Sequence, residues 1–350
     1  MTGVQTCALP IYITDFHYRH NSRLFYSTAK KINNGFIKNN NFVSEISERD
    51  YLNKNFFGFN KLNENIINSV LNFNPDLILL GHCSRIKHQT FLEIKKINKN
   101  IKIIQWFIDS LTELGPDYNH NLSTFYKYFK FLDHSFISTD VQSVEINKND
   151  KVKVSYFPNP TDNSIDNLKI DKILNPIFDL FFAISHGQHR AVLKKFFIDK
   201  REIFINNLKK KIPNIICDFY GINNINPVWG YEYFNRLSQS KMALNLSRGK
   251  TVKYYSSDRI SSLIPNGITT FIDINTKLNK FFNSNEVIFY KNINDLAESI
   301  NYLKDNDKKR REIGRNGRIK YHKYFNNQIV TSFIIEKTFN LKFSKNYQWI

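Results

Sequence analysis

Short, uninterrupted apolar runs alternate with helix-patterned segments along nearly the whole chain, and that rhythm leaves few folds open. Leu77-Ile78-Leu79-Leu80 has no polar interruption, as a strand buried on both faces requires. Ahead of it Leu62, Ile66, Ile67, Val70 and Leu71 fall on one face at helical spacing, and Pro75-Asp76 ends that helix. Phe91, Ile94 and Ile97 mark the next helix, and residues 101–107, 134–138 and 152–157 read as further strands. Upstream, residues 12–16 read as the end of a strand and 22–38 as a helix through Leu24, Ile32 and Phe36.

Residues 158–164, Pro-Asn-Pro-Thr-Asp-Asn-Ser, break the rhythm with a run of turn formers. It then restarts, with strands expected at 178–184, 215–220, 242–246, 268–272 and 287–290 and a helix at 295–303, where Asp295 and Glu298 have capping-box spacing. Alternation on both sides of one break predicts an α/β protein of two Rossmann-like domains with parallel sheets. The expected limits are 12–158 for the first domain, 159–170 for the linker, 171–327 for the second domain and 328–350 for a C-terminal helix and tail. Open parallel sheets bind ligands at the carboxyl ends of their strands, so two such domains are expected to face each other across a cleft. Residues 1–11, MTGVQTCALPI, resemble the translation of a sequencing-library adapter and are expected to lie outside the fold.

Composition narrows the class further. Among 350 residues, 31 Phe and 18 Tyr supply too much burial-seeking surface for a disordered chain. Three cysteines, Cys7, Cys83 and Cys217, exclude a disulfide scaffold and fit a reducing compartment, so a cytoplasmic location is expected. The longest apolar run, around residues 177–184, is short and carries Asp179, which excludes a membrane span there. The net charge of +19 suggests a polyanion. Its lysines, however, are scattered through a chain crowded with Asn, Ile, Phe and Tyr, the pattern of A+T-rich coding, so no specific nucleic acid is expected.

Polar residues at strand ends are the candidate site. Ser185-His186-Gly187-Gln188-His189-Arg190 follows the 178–184 run and precedes Lys194 and Lys195. A glycine lets backbone approach a ligand, a helix start offers N–H groups to an anion, and Arg190 matches phosphate geometry. Ser247-Arg248-Gly249-Lys250 and Tyr255-Ser256-Ser257-Asp258-Arg259 offer hydroxyls, cations and glycine after the next run, with Asp258 suited to sugar or ribose hydroxyls. Tyr220-Gly221, with Trp229 downstream, suits a nucleobase, although a buried Trp anchoring a loop is the commoner outcome. In the first domain His82 follows Gly81, and Asp109 follows the 101–107 strand. Either is placed to act as a general base, and a solvated histidine and a helix cap are the plain alternatives. The stretch from His17 to Arg23 lies at the first strand end. Asp305-Asn306-Asp307 has a metal–diphosphate spacing but sits amid Lys and Arg between helices, where a polar turn is expected. Cys83 and Cys217 have no zinc spacing, so no metal site is expected.

On Ser185–Arg190, Tyr220-Gly221, residues 240–247, Tyr255–Arg259, Asn266-Gly267, residues 287–290 and Gly314-Arg315-Asn316-Gly317, the second domain resembles the glycosyltransferase-like family named after the spore protein CgeB, also YkvP. That family belongs to the group-1 transferases of GT-B architecture. The resemblance covers nearly all of the second domain. Pro75-Asp76-Leu77-Ile78 and Gln105–Asp109 extend it less specifically to the first. It implies nucleotide-sugar binding by the second domain, acceptor binding by the first, and a diphosphate held by backbone amides and basic side chains without an essential metal. It also implies that residues 328–341 form a helix returning toward the first domain. One departure stands out: where many group-1 transferases carry a ribose-binding glutamate five residues before the glycine at 267, this chain has Ser262.

The expected function is a metal-independent hexosyl transfer from a nucleoside-diphosphate sugar, used as co-substrate with no bound cofactor, to a hydroxyl acceptor. Most of the surplus charge is read as coding bias on a solvated surface, and peripheral contact with an anionic membrane at its inner face is a further candidate partner. The alternatives are a basic polyanion-binding module without catalysis and a nucleotide-sugar epimerase on the same architecture.

Overall fold

Parallel strands need crossover connections, and the helix-patterned segments between the apolar runs supply them. In a computed structural model, described over residues 8–52, 58–146, 151–185 and 199–350, the chain divides into two α/β units. The first comprises the chain to Leu111, Asp117–Asp162 and Phe325–Ile350; the second comprises Thr112–Pro116 and Asn163–Tyr324.

The first unit holds β1 (Pro10–Thr14), β2 (Ser44–Ser47), β3 (Leu77–Leu80), β4 (Lys102–Phe107), β5 (His134–Ile137) and β6 (Lys153–Tyr156). Every pairing is parallel, in the order β2-β1-β3-β4-β5-β6. Its helices are α1 (Thr28–Lys38), α2 (Glu48–Leu52), α3 (Gly58–Phe73), α4 (His88–Ile97) and α5 (Tyr118–Tyr126). Leu62, Ile66 and Val70 of α3 and Phe91 and Ile94 of α4 are buried in one core with Ile78 and Leu80. Each such side chain stabilises the unit by roughly 2 kcal/mol. The C-terminal helix, Asn327–Thr338, packs on α1, where Gly35 permits the approach: a Cβ there would lie 2.4 Å from the Asn327 carbonyl.

The structure differs from the sequence reading in three places. Residues 8–11 belong to the fold: Pro10 and Ile11 begin β1, and the buried Ala8 donates its N–H to Asn41 Oδ1 at 2.8 Å. Ala-Leu-Pro-Ile is apolar, and proline is tolerated at the first position of a strand. Helix α1 starts at Thr28, not at residue 22, because Ser27 caps it. Strand β2 was not expected at all.

The second unit holds β7 (Phe178–Ala183), β8 (Cys217–Tyr220), β9 (Ser240–Asn245), β10 (Thr269–Asp273) and β11 (Ile288–Tyr290), ordered β11-β10-β9-β7-β8 and parallel. Its helices are α6 (Lys200–Lys211), α7 (Gly230–Ser238), α8 (Ile260–Leu263), α9 (Ile293–Asp305) and α10 (Asp307–Tyr324); the C-terminal helix of the first unit is α11. The cap of α9 is Asn292, whose Oδ1 accepts from the N–H groups of Asn294 and Asp295; Asp295 instead accepts from Lys291 N–H, so the Asp295/Glu298 box does not form. The glycines of the family-like segments serve packing. Gly267 (φ +82°) has no room for a Cβ beside Asp171 Oδ1, and Gly314 of α10 has none beside the Gly267 carbonyl. Arg318 clasps Asp171 at 2.7 and 2.8 Å.

Candidate active site

In an open parallel sheet the ligand crevice opens where the strand order reverses, at the carboxyl ends of the two strands flanking the reversal. The second unit reverses between β7 and β9. Ser185, exposed, follows β7; His186, Gly187, His189, Arg190, Lys194 and Lys195 lie outside the described residues. Arg259 ties the two strand ends together. Its Nε donates to the Ala183 carbonyl at 3.0 Å, and its Nη1 donates to the Leu246 carbonyl at 3.2 Å and to Ser257 Oγ at 3.1 Å. The guanidinium lies over the Phe182 ring at 5.3 Å. Burial lowers its pKa to about 10, which leaves it charged at neutral pH.

The loop after β9 is held in the same way. Ser247 Oγ accepts from Ser257 N–H at 3.1 Å, and Asn245 exchanges hydrogen bonds with Ser256. Gly249 takes φ +85°, and its would-be Cβ meets the Leu114–Pro116 segment, to whose Leu114 carbonyl Lys250 donates its N–H at 2.9 Å. The Lys250 amide is therefore occupied, while its side chain is exposed. Tyr255 and Ser256 are 8% and 4% exposed. Both are buried, and Ser256 is held by Asn245. Asp258 is exposed, and Ser262 is buried within α8.

Tyr220 ends β8, on the far side of β7 from β9, and Arg236 lies over its ring at 5.8 Å. Burial, then the neighbouring Asp218 carboxylate, push the Tyr220 hydroxyl up to about 12. Gly221 takes φ +78° and donates its N–H to Ile225 O at 3.0 Å, and Trp229 precedes α7 half-buried. Asp307 begins α10 and pairs with Arg310 and Arg311 one turn along it. Among the described residues no His, Cys, Asp and Glu side chains gather into a metal-binding group.

The first unit reverses between β1 and β3. Gly81 follows β3 so closely against β1 that a Cβ would lie 2.1 Å from Thr14 Oγ1, and its N–H donates to the Ile13 carbonyl at 2.8 Å. His82 comes next. Its ring stacks on Phe107 (centroids 5.2 Å, planes 13° apart), and its Nδ1 lies 3.6 Å from Asp109 Oδ2. The structure thus brings together two candidates that are remote in sequence, because β3 and β4 are neighbours. His82 Nε2 has no hydrogen-bond partner among the described residues.

The 17–23 stretch follows the end of β1. Arg19 is committed to Asp15 by two bonds of 2.7 and 2.8 Å and to Asp50 as well. Burial, against the pull of Asp15, lowers the His17 imidazole to about 4, so it is neutral at physiological pH. Sequence reasoning missed Asp15, Glu48 and Asp50. Only the position of Asp15 at the end of the first strand could have marked it.

Comparison with known proteins bears on the whole arrangement. Residues 190–335 match a family model described as Glycosyl transferase-like. No curated protein sequence matches the chain. Among solved structures, the chain is similar to HepE (Alr3699) of Anabaena in complex with UDP and glucose, at 11% identity and TM-score 0.58, covering 95% of this chain and 100% of that one. Sucrose-phosphate synthase of Thermosynechococcus elongatus aligns at 10% identity and TM-score 0.55 over 95% and 98%. Trehalose 6-phosphate synthase of Burkholderia multivorans aligns at 8% identity and TM-score 0.56, also over 95% and 98%. The fold is therefore that of the GT-B glycosyltransferases. No described helix is long and apolar enough to cross a membrane.

Proposed function

We propose that this chain is a glycosyltransferase of CgeB/YkvP type, moving a hexose from a nucleoside-diphosphate sugar to a hydroxyl acceptor without a metal. The observation that carries the reading is the pairing of His82 with Asp109 at one sheet reversal and the fixed Arg259 cation at the other. In the transfer, the bond from the sugar's anomeric carbon to the phosphate oxygen breaks and its electron pair leaves with the diphosphate. Arg190, Arg248, Lys250 and Arg259 offset the charge that develops there. The acceptor oxygen bonds to the anomeric carbon, and its proton passes to His82 Nε2. Asp109, beside Nδ1, favours the imidazolium so formed. Ser185, Ser247, Ser257 and Asp258 supply hydrogen bonds to the donor, and Tyr220-Gly221 supplies its base with a flank.

HepE, a structural neighbour, is described with UDP and glucose, so uridine diphosphate sugars are the donors of first choice. A donor of this kind fits a cytoplasmic chain, with peripheral contact at an anionic membrane face as part of the same reading. The test is a panel of nucleotide sugars, with released nucleoside diphosphate as the readout and nucleotide binding followed by calorimetry. Turnover in the wild type and its loss in Arg190→Ala support the reading. A folded wild-type chain that neither binds nor turns over any donor ends it.

A further inference from the structure

The segment from Gly81 to Lys87 leaves the sheet with no secondary structure of its own before α4 begins, yet almost all of its backbone amides are bonded. Gly81 N–H reaches the Ile13 carbonyl, and Cys83 N–H reaches the Gly81 carbonyl at 2.7 Å. Ile86 N–H donates to Tyr128 Oη at 2.9 Å and Lys87 N–H to Asn63 Oδ1 at 2.8 Å. The two amides between them, Ser84 and Arg85, both donate to one atom, Glu48 Oε1, the former at 2.8 Å.

Glu48 is fully buried. A buried carboxylate is costly unless it accepts hydrogen bonds, and a surface acid would have served α2 equally well as a helix-starting residue. Its Oε2 has no partner among the described residues, and burial, against the two backbone N–H groups, raises its pKa. Packing does not call for an acid here, because an apolar side chain would fill the same space without the penalty. The bonds it makes all go to the two amides that follow His82-Cys83. Cys83 is itself fixed, donating its thiol to the Ile13 carbonyl at 2.9 Å. The imidazole of His82, between these fixed amides, keeps Nε2 buried and without a hydrogen-bond partner among the described residues.

We propose that Glu48 is a positioning residue, holding the 81–87 segment so that His82 keeps its stack on Phe107 and its approach to Asp109. This rests on His82 being the acceptor base, and it adds a residue that acts through His82 without touching substrate. The geometry makes a graded demand. Glutamine at 48 keeps an oxygen for both amides and places an NH2 group at the unpartnered position; alanine removes both bonds.

The full-length chain is compared as wild type, Glu48→Gln, Glu48→Ala and His82→Ala. Amide hydrogen exchange at Ser84 and Arg85 is read alongside the ring-proton shifts of His82, which report its stacking on Phe107. In Glu48→Ala these two amides are expected to exchange at least about tenfold faster, with the ring shifts moving toward those of an unstacked imidazole. Glu48→Gln is expected to retain both wild-type signatures. Donor turnover should fall in Glu48→Ala through kcat, with KM for the donor unchanged, and recover in Glu48→Gln. Unchanged amides and ring shifts in Glu48→Ala overturn the proposal. So does faster exchange throughout the first unit in Glu48→Gln, which would make Glu48 a support of the whole unit. A wild type without turnover sinks the transferase reading alone, since exchange and ring shifts still judge what Glu48 does.

Discussion

The two sheet reversals solve the same mechanical problem with opposite charges. Each must hold an irregular segment still at the carboxyl ends of two parallel strands. In the first unit the fastener is an acid, Glu48, which takes up backbone N–H groups. In the second it is Arg259, which takes up backbone carbonyls. A carboxylate fastener uses amides that would otherwise attract an anion, and it leaves the His82 Nε2 without a hydrogen-bond partner among the described residues. A guanidinium fastener adds a fixed positive charge where strand ends already present loop amides. The first arrangement suits taking a proton from a hydroxyl, and the second suits receiving a leaving diphosphate. The division of labour is therefore expressed in what holds each loop as well as in which side chains face out.

The largest effect that can break this comparison lies with His82. His82→Ala should lower kcat by about 10²–10⁴-fold with little change in donor binding, the range for loss of a general base. Asp109→Asn should cost less, since it removes the charge beside Nδ1 and leaves the base in place. Steady-state kinetics against donor and acceptor separate the two. A His82→Ala chain as active as wild type would remove the first unit's share of the chemistry.

Arg259 comes next. Arg259→Met leaves the Ala183 and Leu246 carbonyls without their donor, a cost of about 1–3 kcal/mol apiece if no water replaces it. Arg259→Lys keeps the charge but cannot span two carbonyls with a fork. If the residue serves both as fastener and as cation, Lys should restore part of donor binding while leaving much of the lost stability unrecovered. Equal rescue of both, measured by calorimetry and thermal unfolding, would reduce Arg259 to a point charge.

How far the sequence discloses these features follows from their physics. Strands β3, β4, β7 and β9 are legible because burial on both faces demands short, mostly apolar runs, and the rhythm of such runs is enough to foretell two α/β units. Strand β2 is not legible: Ser44-Glu45-Ile46-Ser47 is a short edge strand paired on one side only, so it needs no apolar face beyond Ile46. His82 and Asp109 are legible singly, as polar residues after apolar runs, but their proximity is decided by the β3–β4 pairing. Glu48 leaves no mark, because its partners are backbone amides and any residue can follow it at the distance required. The bonding of Ser256 is hidden for a related reason: a hydroxyl in a polar stretch looks the same whether it faces a ligand or Asn245. The cap of α9 was misplaced because Asn292 and Asp295 satisfy the spacing rule as well as Asp295 and Glu298 do.

Acid should separate the two units. Burial lowers His17 and His134 to about 4, Asp15 opposing it at His17 and Lys337 and Lys153 adding to it at His134. Both lie in the first unit, while in the second His322 is lowered, again by burial first. A histidine held neutral binds fewer protons folded than unfolded. Its contribution is full above the unfolded value near 6.5 and is lost as pH falls toward about 4. Trp106 and Trp349 report on the first unit and Trp229 on the second. Single-tryptophan variants should show the first unit losing its native fluorescence at the higher pH, and His134→Asn should narrow the gap. Coincident transitions in all variants would show that the two units unfold as one.

The smallest expected effect compares helix starts. Asn292 accepts from two N–H groups at 2.9 and 3.1 Å, while Ser27 accepts from Lys30 N–H alone, at 3.4 Å. Asn292→Ala should therefore cost about 1 kcal/mol and Ser27→Ala about half that, within the range for lost caps. At roughly 2–4 °C of Tm per kcal/mol, the first is measurable and the second is near the limit. The second unit would carry the larger loss although none of the Arg259 hydrogen bonds goes to α9, so donor affinity should stay unchanged in Asn292→Ala. A fall in donor affinity there would mean that the β7–β9 end is held by the stability of the whole unit, and that Arg259 fastens it only in part.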